Sequence, residues 1–257
     1  MLDEALTYQD LAARWKSLRT THDARVREVA CVGAPRTLLC VELGDSSQPC
    51  VYLSAGVHGD EPAGVFALLL AVEDRELDTR FSYRIWPCMN PTGFDARTRE
   101  SVDGLDINRT FGRGGGSPEA KAIVMANRDR KYVLAVDLHE DDEAGGFYAY
   151  AYGEPAAAER AVDAVTRGGI AVDPRGVLRP DPAAEALEIG GLSLSLLLCR
   201  NAARRTVTFE TASAHALRER VDAHRLALLA AIGELARSLG DVEAAIDPEV
   251  GRDTELL

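Results

Sequence analysis

The run Val57-His58-Gly59-Asp60-Glu61-Pro62 sets an imidazole and a carboxylate three residues apart. On one helical turn, residues at that spacing share a side, so both side chains reach a single cation from a rigid base. A hydrolytic zinc site takes three protein ligands and keeps a position open for water, so a further ligand belongs on a separate strand. His139, in Val136-Asp137-Leu138-His139-Glu140, is the candidate. The chemistry such a trio serves is hydrolysis by metal-activated water. A lone His-x-x-Glu also marks many solvated helix starts, so its surroundings decide the reading.

Those surroundings supply positioning elements. Pro49 to Ala55 is an apolar run of strand length, broken by Gly56 and Gly59 where the ligands begin. Pro62 suits a first helical turn, and Val65 to Val72 reads as a buried helix that holds the metal loop at its N-terminal end. Upstream, Thr7 to Leu18 has the period of an amphipathic helix opened by a Thr7-x-x-Asp10 capping box. Val26 to Val32 and Thr37 to Leu43 read as two strands joined by a turn at Gly33-Ala34-Pro35. Downstream come a strand over Phe81 to Cys88, a helix from Ser117 to about Arg130 and a strand over Val133 to His139. Gly146 to Tyr152 is a strand that puts Tyr148, Tyr150 and Tyr152 on one face, read as sheet packing, with an approach of Tyr148 or Tyr150 to the site as the alternative. Pro155 to Arg167 is helical, and residues 168–191 read as an irregular excursion over a site. Leu192 to Leu198 fits helix or strand, Arg205 to Phe209 is a strand, and Ala214 to Leu239 is a long helix.

Strands alternating with helices after an early hairpin predict an α/β domain with helices on both faces of a mixed sheet. In such sheets ligands bind beyond the carboxyl ends of the strands. His58, Asn90, His139 and Glu210 each follow closely on a predicted strand.

The chain has 257 residues, 46% of them hydrophobic, enough for one substantial core. A single domain over residues 1–240 is expected, followed by an acidic, frayed tail over 241–257. The net charge of -12 and pI near 4.9 argue against a nucleic-acid partner. With no span-length apolar stretch and no basic n-region at Met1-Leu2-Asp3-Glu4, no membrane partner is expected and the placement is cytoplasmic. The five cysteines are scattered through apolar segments, as buried reduced thiols are, and none forms a Cys-x-x-Cys pair.

A second informative stretch runs from Asn90-Pro91-Thr92-Gly93-Phe94 through Arg99 to Asp106-Ile107-Asn108-Arg109. Together with His58-x-x-Glu61, Asp137-Leu138-His139 and Thr208-Phe209-Glu210-Thr211, it resembles the zinc carboxypeptidase superfamily, including the succinylglutamate desuccinylase and aspartoacylase branch. The resemblance covers roughly residues 50–215, with the motifs in order. It implies a three-layer α/β/α sandwich around a mixed, largely eight-stranded sheet. It implies one zinc ion per chain held by His58, Glu61 and His139, with Glu210 as the catalytic glutamate. Asn108 and Arg109 match the pair that grips a substrate carboxylate. Arg99 matches the arginine that polarises the scissile carbonyl, with Arg97 as its rival. Asp137, two residues before His139 on one strand face, is placed to support that ligand. Glu140 to Glu143 reads as a solvated acidic run, and His22, His215 and His224 as surface or helix residues.

One departure stands out. Digestive-type carboxypeptidases carry a mobile tyrosine some twenty residues before the catalytic glutamate, and this chain has no tyrosine after Tyr152. The resemblance implies a small peptide or peptide-like substrate with a free carboxylate, cleaved in the manner of a carboxypeptidase. An N-acyl amino acid deacylase is the close alternative, and a metal-binding scaffold without catalysis the distant one.

Overall fold

Alternation decides which way each central strand faces. Val51, Leu53 and Ala55 turn to one side of the third strand, and Tyr52 and Ser54 to the other. The same period recurs on the neighbouring fifth strand, where Val136 and Leu138 oppose Asp137 and His139. One face is therefore apolar along Val51, Leu53, Ala55, Val136 and Leu138, with the buried Glu140 at its carboxyl end, and the other turns polar toward the carboxyl ends. The computed structural model describes residues 5–112, 116–183, 185, 192–203 and 205–245.

The strands are β1 (Arg25–Val29), β2 (Leu38–Leu43), β3 (Cys50–Ala55), β4 (Ser82–Trp86), β5 (Leu134–Asp141), β6 (Phe147–Gly153), β7 (Val172–Leu178) and β8 (Arg205–Ala212). They form one mixed eight-stranded sheet in the order β1-β2-β4-β3-β5-β8-β6-β7. The block β4-β3-β5-β8 is parallel, and β1, β2 and β6 attach to it through antiparallel pairings. From β3 the chain crosses first to β4 on one side and then to β5 on the other. The crevice between β3 and β5 is thus the switch point at which α/β sheets place ligands.

Helices α1 (Tyr8–Thr21), α2 (Pro62–Glu73), α5 (Ala156–Arg167) and α7 (Leu217–Ala245) cover the apolar face. Helices α4 (Pro118–Ala126) and α6 (Leu194–Asn201) cover part of the other, around Tyr52, Trp86 and Ala135. A short helix α3 (Pro91–Ala96) and a 3₁₀ turn (Ile107–Arg109) complete the elements. The three-layer α/β/α architecture stands as the sequence predicts, and α1 opens on the reciprocal Thr7–Asp10 capping box.

Three readings change. Residues 172–178, expected as irregular, form β7 at the sheet edge, parallel to β6 with a register shift. Pro174 and Gly176 hid it, and an edge is the place where a strand tolerates them. Leu194–Asn201 resolves as helix because Ser193 caps it, accepting from the Leu196 amide. The long last helix continues to Ala245, and the rest of the expected tail lies outside the described residues.

Two loops lock at the carboxyl end of β3. A Cβ added to Gly59 would lie 1.9 Å from the Gly93 carbonyl carbon and 2.3 Å from the Phe94 nitrogen, so the His58 loop and the Asn90 loop pack backbone to backbone. The Gly59 amide also donates to Thr98 O at 3.0 Å. Asn90, fully buried, accepts from the Gly93 amide at 2.9 Å and donates to Arg99 O at 3.1 Å. Gly59→Ala is expected to lower unfolding stability by about 3 kcal/mol, because backbone on both sides must move. Urea titration of the two proteins checks this.

Candidate active site

β3 and β5 run parallel with Ala55 opposite Leu138, so the loop leaving β3 emerges beside the end of β5. His58 and Glu61 do not share a helical turn, as their spacing suggested. Both lie ahead of α2, with Glu61 at its N-cap, and the loop itself brings them together. Glu61 Oε1 is 2.5 Å from His58 Nδ1, and its Oε2 is 2.8 Å from His139 Nδ1. Ligand atoms of these three buried residues lie within 4.8 Å of one another.

The outer nitrogen of each imidazole has its own carboxylate. His58 Nε2 is 3.2 Å from Asp106 Oδ1, and His139 Nε2 is 3.1 Å from Asp137 Oδ2. Such backing fixes ring orientation and leaves Nδ1 as the inward-facing donor. Two imidazoles, one carboxylate and carboxylate-backed rings fit a catalytic metal ion. Burial alone would raise the Glu61 carboxyl, yet His139 and His58 hold it below the usual range. Burial presses His139 the other way, but Glu61 and Asp137 carry it well above an ordinary imidazole.

Glu210 is the residue of β8 in register with His139. Both line a cavity of about 550 Å³ that also takes in His58, Glu61, Arg99, Asn108 and Arg109. Glu210 keeps partial exposure to that cavity, but burial pushes its carboxyl up to about 8. His139 opposes the rise, and the negative charges of Glu61, Asp141 and Asp137 add to it.

The arginines separate cleanly. Arg99 grips Asp106 Oδ2 through Nε at 3.2 Å and Nη2 at 3.0 Å, and its Nη1 lies 3.3 Å from His58 Nδ1. Its rival Arg97 points the other way, donating to Phe94 O and to Leu6 O at the start of the chain. Arg109 is exposed, and among the described residues it holds no ion pair, only a 3.2 Å bond to Asn108 O. Asn108 is buried with its carboxamide oxygen accepting from the Leu194 amide at 2.9 Å and its NH₂ at the cavity, 3.5 Å from His139 Nε2.

Several residues escaped the sequence reading. Tyr148, Tyr150 and Tyr152 line the cavity, where sheet packing was expected. Their alternation was visible, but which face they joined depended on β8, where Glu210, Thr208 and Thr206 are their partners in register. Glu140 is not part of a solvated run. Its side chain is 1% exposed and paired with Arg220 of α7. Its Oε1 accepts from the Ala63 amide at 2.6 Å, and its own amide donates to Glu61 Oε2 at 3.1 Å. His224 is fully buried with Nε2 3.2 Å from Thr211 Oγ1, so it stands behind the site rather than at the surface. No local motif announces Arg220 or His224, since both reach the site from a remote helix.

A model of the succinylglutamate desuccinylase/aspartoacylase catalytic domain matches residues 47–232. Carboxypeptidase SOL1 of Arabidopsis thaliana is 28% identical over 128 residues, which are 40% of this chain and 26% of that protein. The match therefore spans about a quarter of that relative's length. Similar solved structures include a candidate metallopeptidase from Shewanella amazonensis, with a TM-score of 0.73 and 20% identity over 88% of this chain and 92% of that one. A metallo-carboxypeptidase from Burkholderia cenocepacia gives 0.69 and 17% over 91% and 70%. Carboxypeptidase A from Helicoverpa armigera gives 0.69 and 15% over 95% and 76%. At these identities the structural likeness concerns the fold. Among the described residues, no helix is long and apolar enough to cross a membrane.

Removing the cation opposite Glu140 leaves a buried carboxylate uncompensated. Arg220→Met is expected to cost about 3–5 kcal/mol in urea unfolding and to weaken metal binding in a chelator competition. The double change Arg220→Met with Glu140→Met is expected to recover most of the stability, because no lone charge remains.

Proposed function

Because the chain belongs to the succinylglutamate desuccinylase/aspartoacylase catalytic-domain family of the zinc carboxypeptidase-like superfamily, we propose that it is a zinc-dependent amide hydrolase of carboxypeptidase type. Its substrate is a small peptide or peptide-like molecule cleaved next to a free carboxylate. The observation that carries this reading is the placement of Glu210 beside His139, on a cavity that also presents the Arg109 guanidinium. A proton-shuttling carboxylate, a metal-ligand trio and a cation for the substrate carboxylate then share one space.

His58, Glu61 and His139 would hold the metal, one zinc ion per chain. Zinc supplies Lewis acidity, which ionises water near neutral pH and polarises a carbonyl. The remaining steps belong to the protein's own residues. Glu210 takes a proton from the attacking water and returns it to the departing nitrogen. Arg109 receives the substrate carboxylate, with the Asn108 NH₂ beside it, through the paired hydrogen bonds a guanidinium favours. Arg99, anchored by Asp106, faces the oxygen on which negative charge develops.

The matched catalytic domain itself favours a second reading, an N-acyl amino acid deacylase. Both reactions cut an amide beside a carboxylate and use the same residues. Amine release from a mixed panel of short peptides and N-acyl amino acids separates them. Cleavage of peptides alone supports the carboxypeptidase reading, and cleavage of acyl amino acids alone moves the chain to the deacylase. Glu210→Gln is expected to lower kcat by about 10²–10⁴ on whichever substrate is cleaved.

The acid limb of activity follows from Glu210, which must be ionised to accept a proton. Burial disfavours its charged form and holds its carboxyl above the ordinary carboxylate range. Activity is thus present above that pKa and lost as pH falls through it. A kcat/KM profile with no acid limb contradicts the assignment.

A further inference from the structure

Tyr148 differs from the other two tyrosines of its stripe. The antiparallel pairing of β6 with β8 sets it directly across from Glu210. Side chains so placed rise from one face with Cβ atoms about 5 Å apart. The Tyr148 hydroxyl donates to Asp141 Oδ2 at 2.8 Å. The same oxygen accepts from Arg175 Nη1 at 2.9 Å, and the Arg175 guanidinium lies 3.9 Å from the centre of the Tyr148 ring. Asp173 holds Arg175 in turn through Nε at 2.8 Å and Nη2 at 3.1 Å. Tyr148 is therefore pinned from β5, β6 and β7 at once, on the wall of the cavity that Glu210 also lines.

This arrangement fixes the polarity of the phenol. Burial, then the charge of Glu210 and the side-chain hydrogen bonds with Tyr150 and Asp141, keep it protonated. Its one proton is committed to Asp141, so the oxygen has only lone pairs to offer a further partner. A fixed acceptor beside a proton-delivering carboxylate suits a group that carries an N–H and is about to receive a second proton. The nitrogen of an amide under hydrolysis is such a group.

Resting on the amide-hydrolase reading above, we propose that Tyr148 is a substrate-contacting residue whose hydroxyl oxygen accepts the N–H of the scissile amide. The bond holds the nitrogen so that the lone pair freed when the carbonyl carbon becomes tetrahedral faces Glu210. Glu210 then gives that nitrogen the proton taken from water, the C–N bond breaks, and the amine leaves. Tyr148 gains and loses no proton.

An ester has an oxygen at the scissile position and no N–H to offer. The test compares zinc-loaded wild type with Tyr148→Phe on an amide and an ester that share the acyl group and differ only in NH against O at the scissile position. The expected result is a fall of about five- to tenfold in kcat/KM on the amide, the worth of one hydrogen bond, with the ester rate held within about twofold. A folding or metal-loading defect lowers both rates alike. An equal loss on both substrates, or no loss on the amide, overturns the proposal. Wild-type enzyme that cleaves neither substrate overturns the hydrolase reading and this inference with it. That result is distinct from wild-type amidase activity that Tyr148→Phe leaves intact.

Discussion

The bridge made by Glu61 is the interaction on which the rest of the site depends. One carboxylate offers an oxygen to each of two imidazoles, His58 from the loop after β3 and His139 from β5. A buried carboxylate in that position is tolerated only with full compensation, and the surrounding structure supplies it. The Glu140 amide donates to Glu61 Oε2, Glu140 also takes the Ala63 amide at the first turn of α2, and Arg220 balances Glu140. The close approach of Gly59 and Gly93 then sets the height of the loop that carries His58. The long helix α7 on one face thereby helps fix donor atoms on the other side of the sheet.

Charge is sorted with similar economy. The net charge of -12 would oppose binding of a carboxylate substrate if it filled the cavity uniformly. Most of the carboxylates near the triad are already engaged: Asp106 with Arg99 and His58, Asp137 with Ser54 and His139, Asp141 with Arg175 and Tyr148. Arg109 remains exposed at the cavity, and among the described residues it has no ion pair. Paired acids orient ligands and walls, and in the proposed function the remaining cation is the one that receives the substrate carboxylate.

The parts of this arrangement legible in the sequence are those written in short, ordered motifs. His58-x-x-Glu61, Asp137-x-His139 and the Asp106-x-Asn108-Arg109 loop each carry their spacing in the chain, and strand–helix alternation gave the architecture. What was hidden depends on register and on distance. The tyrosine stripe could be counted but not assigned to a face, since pairing with β8 decides that. β7 was masked by Pro174 and Gly176, which read as loop residues until the strand is known to be an edge. The burial of Glu140 inside an acidic run could not be read locally, because its partner Arg220 lies eighty residues away. The helical reading of His58 and Glu61 gave the right partners for the wrong reason, because a loop, not a helical turn, makes them converge.

In the proposed function Glu61 gathers two imidazoles so that one metal ion binds through both Nδ1 atoms and a carboxylate. Anomalous diffraction at the zinc edge from metal-loaded crystals tests it most directly. The account predicts a single zinc peak per chain, bonded to His58 Nδ1, His139 Nδ1 and the Glu61 carboxylate, with Asp106 and Asp137 still on the outer nitrogens. A peak bonded through either Nε2, a zinc ion that leaves out Glu61, or a second ion of equal occupancy in the cavity contradicts it.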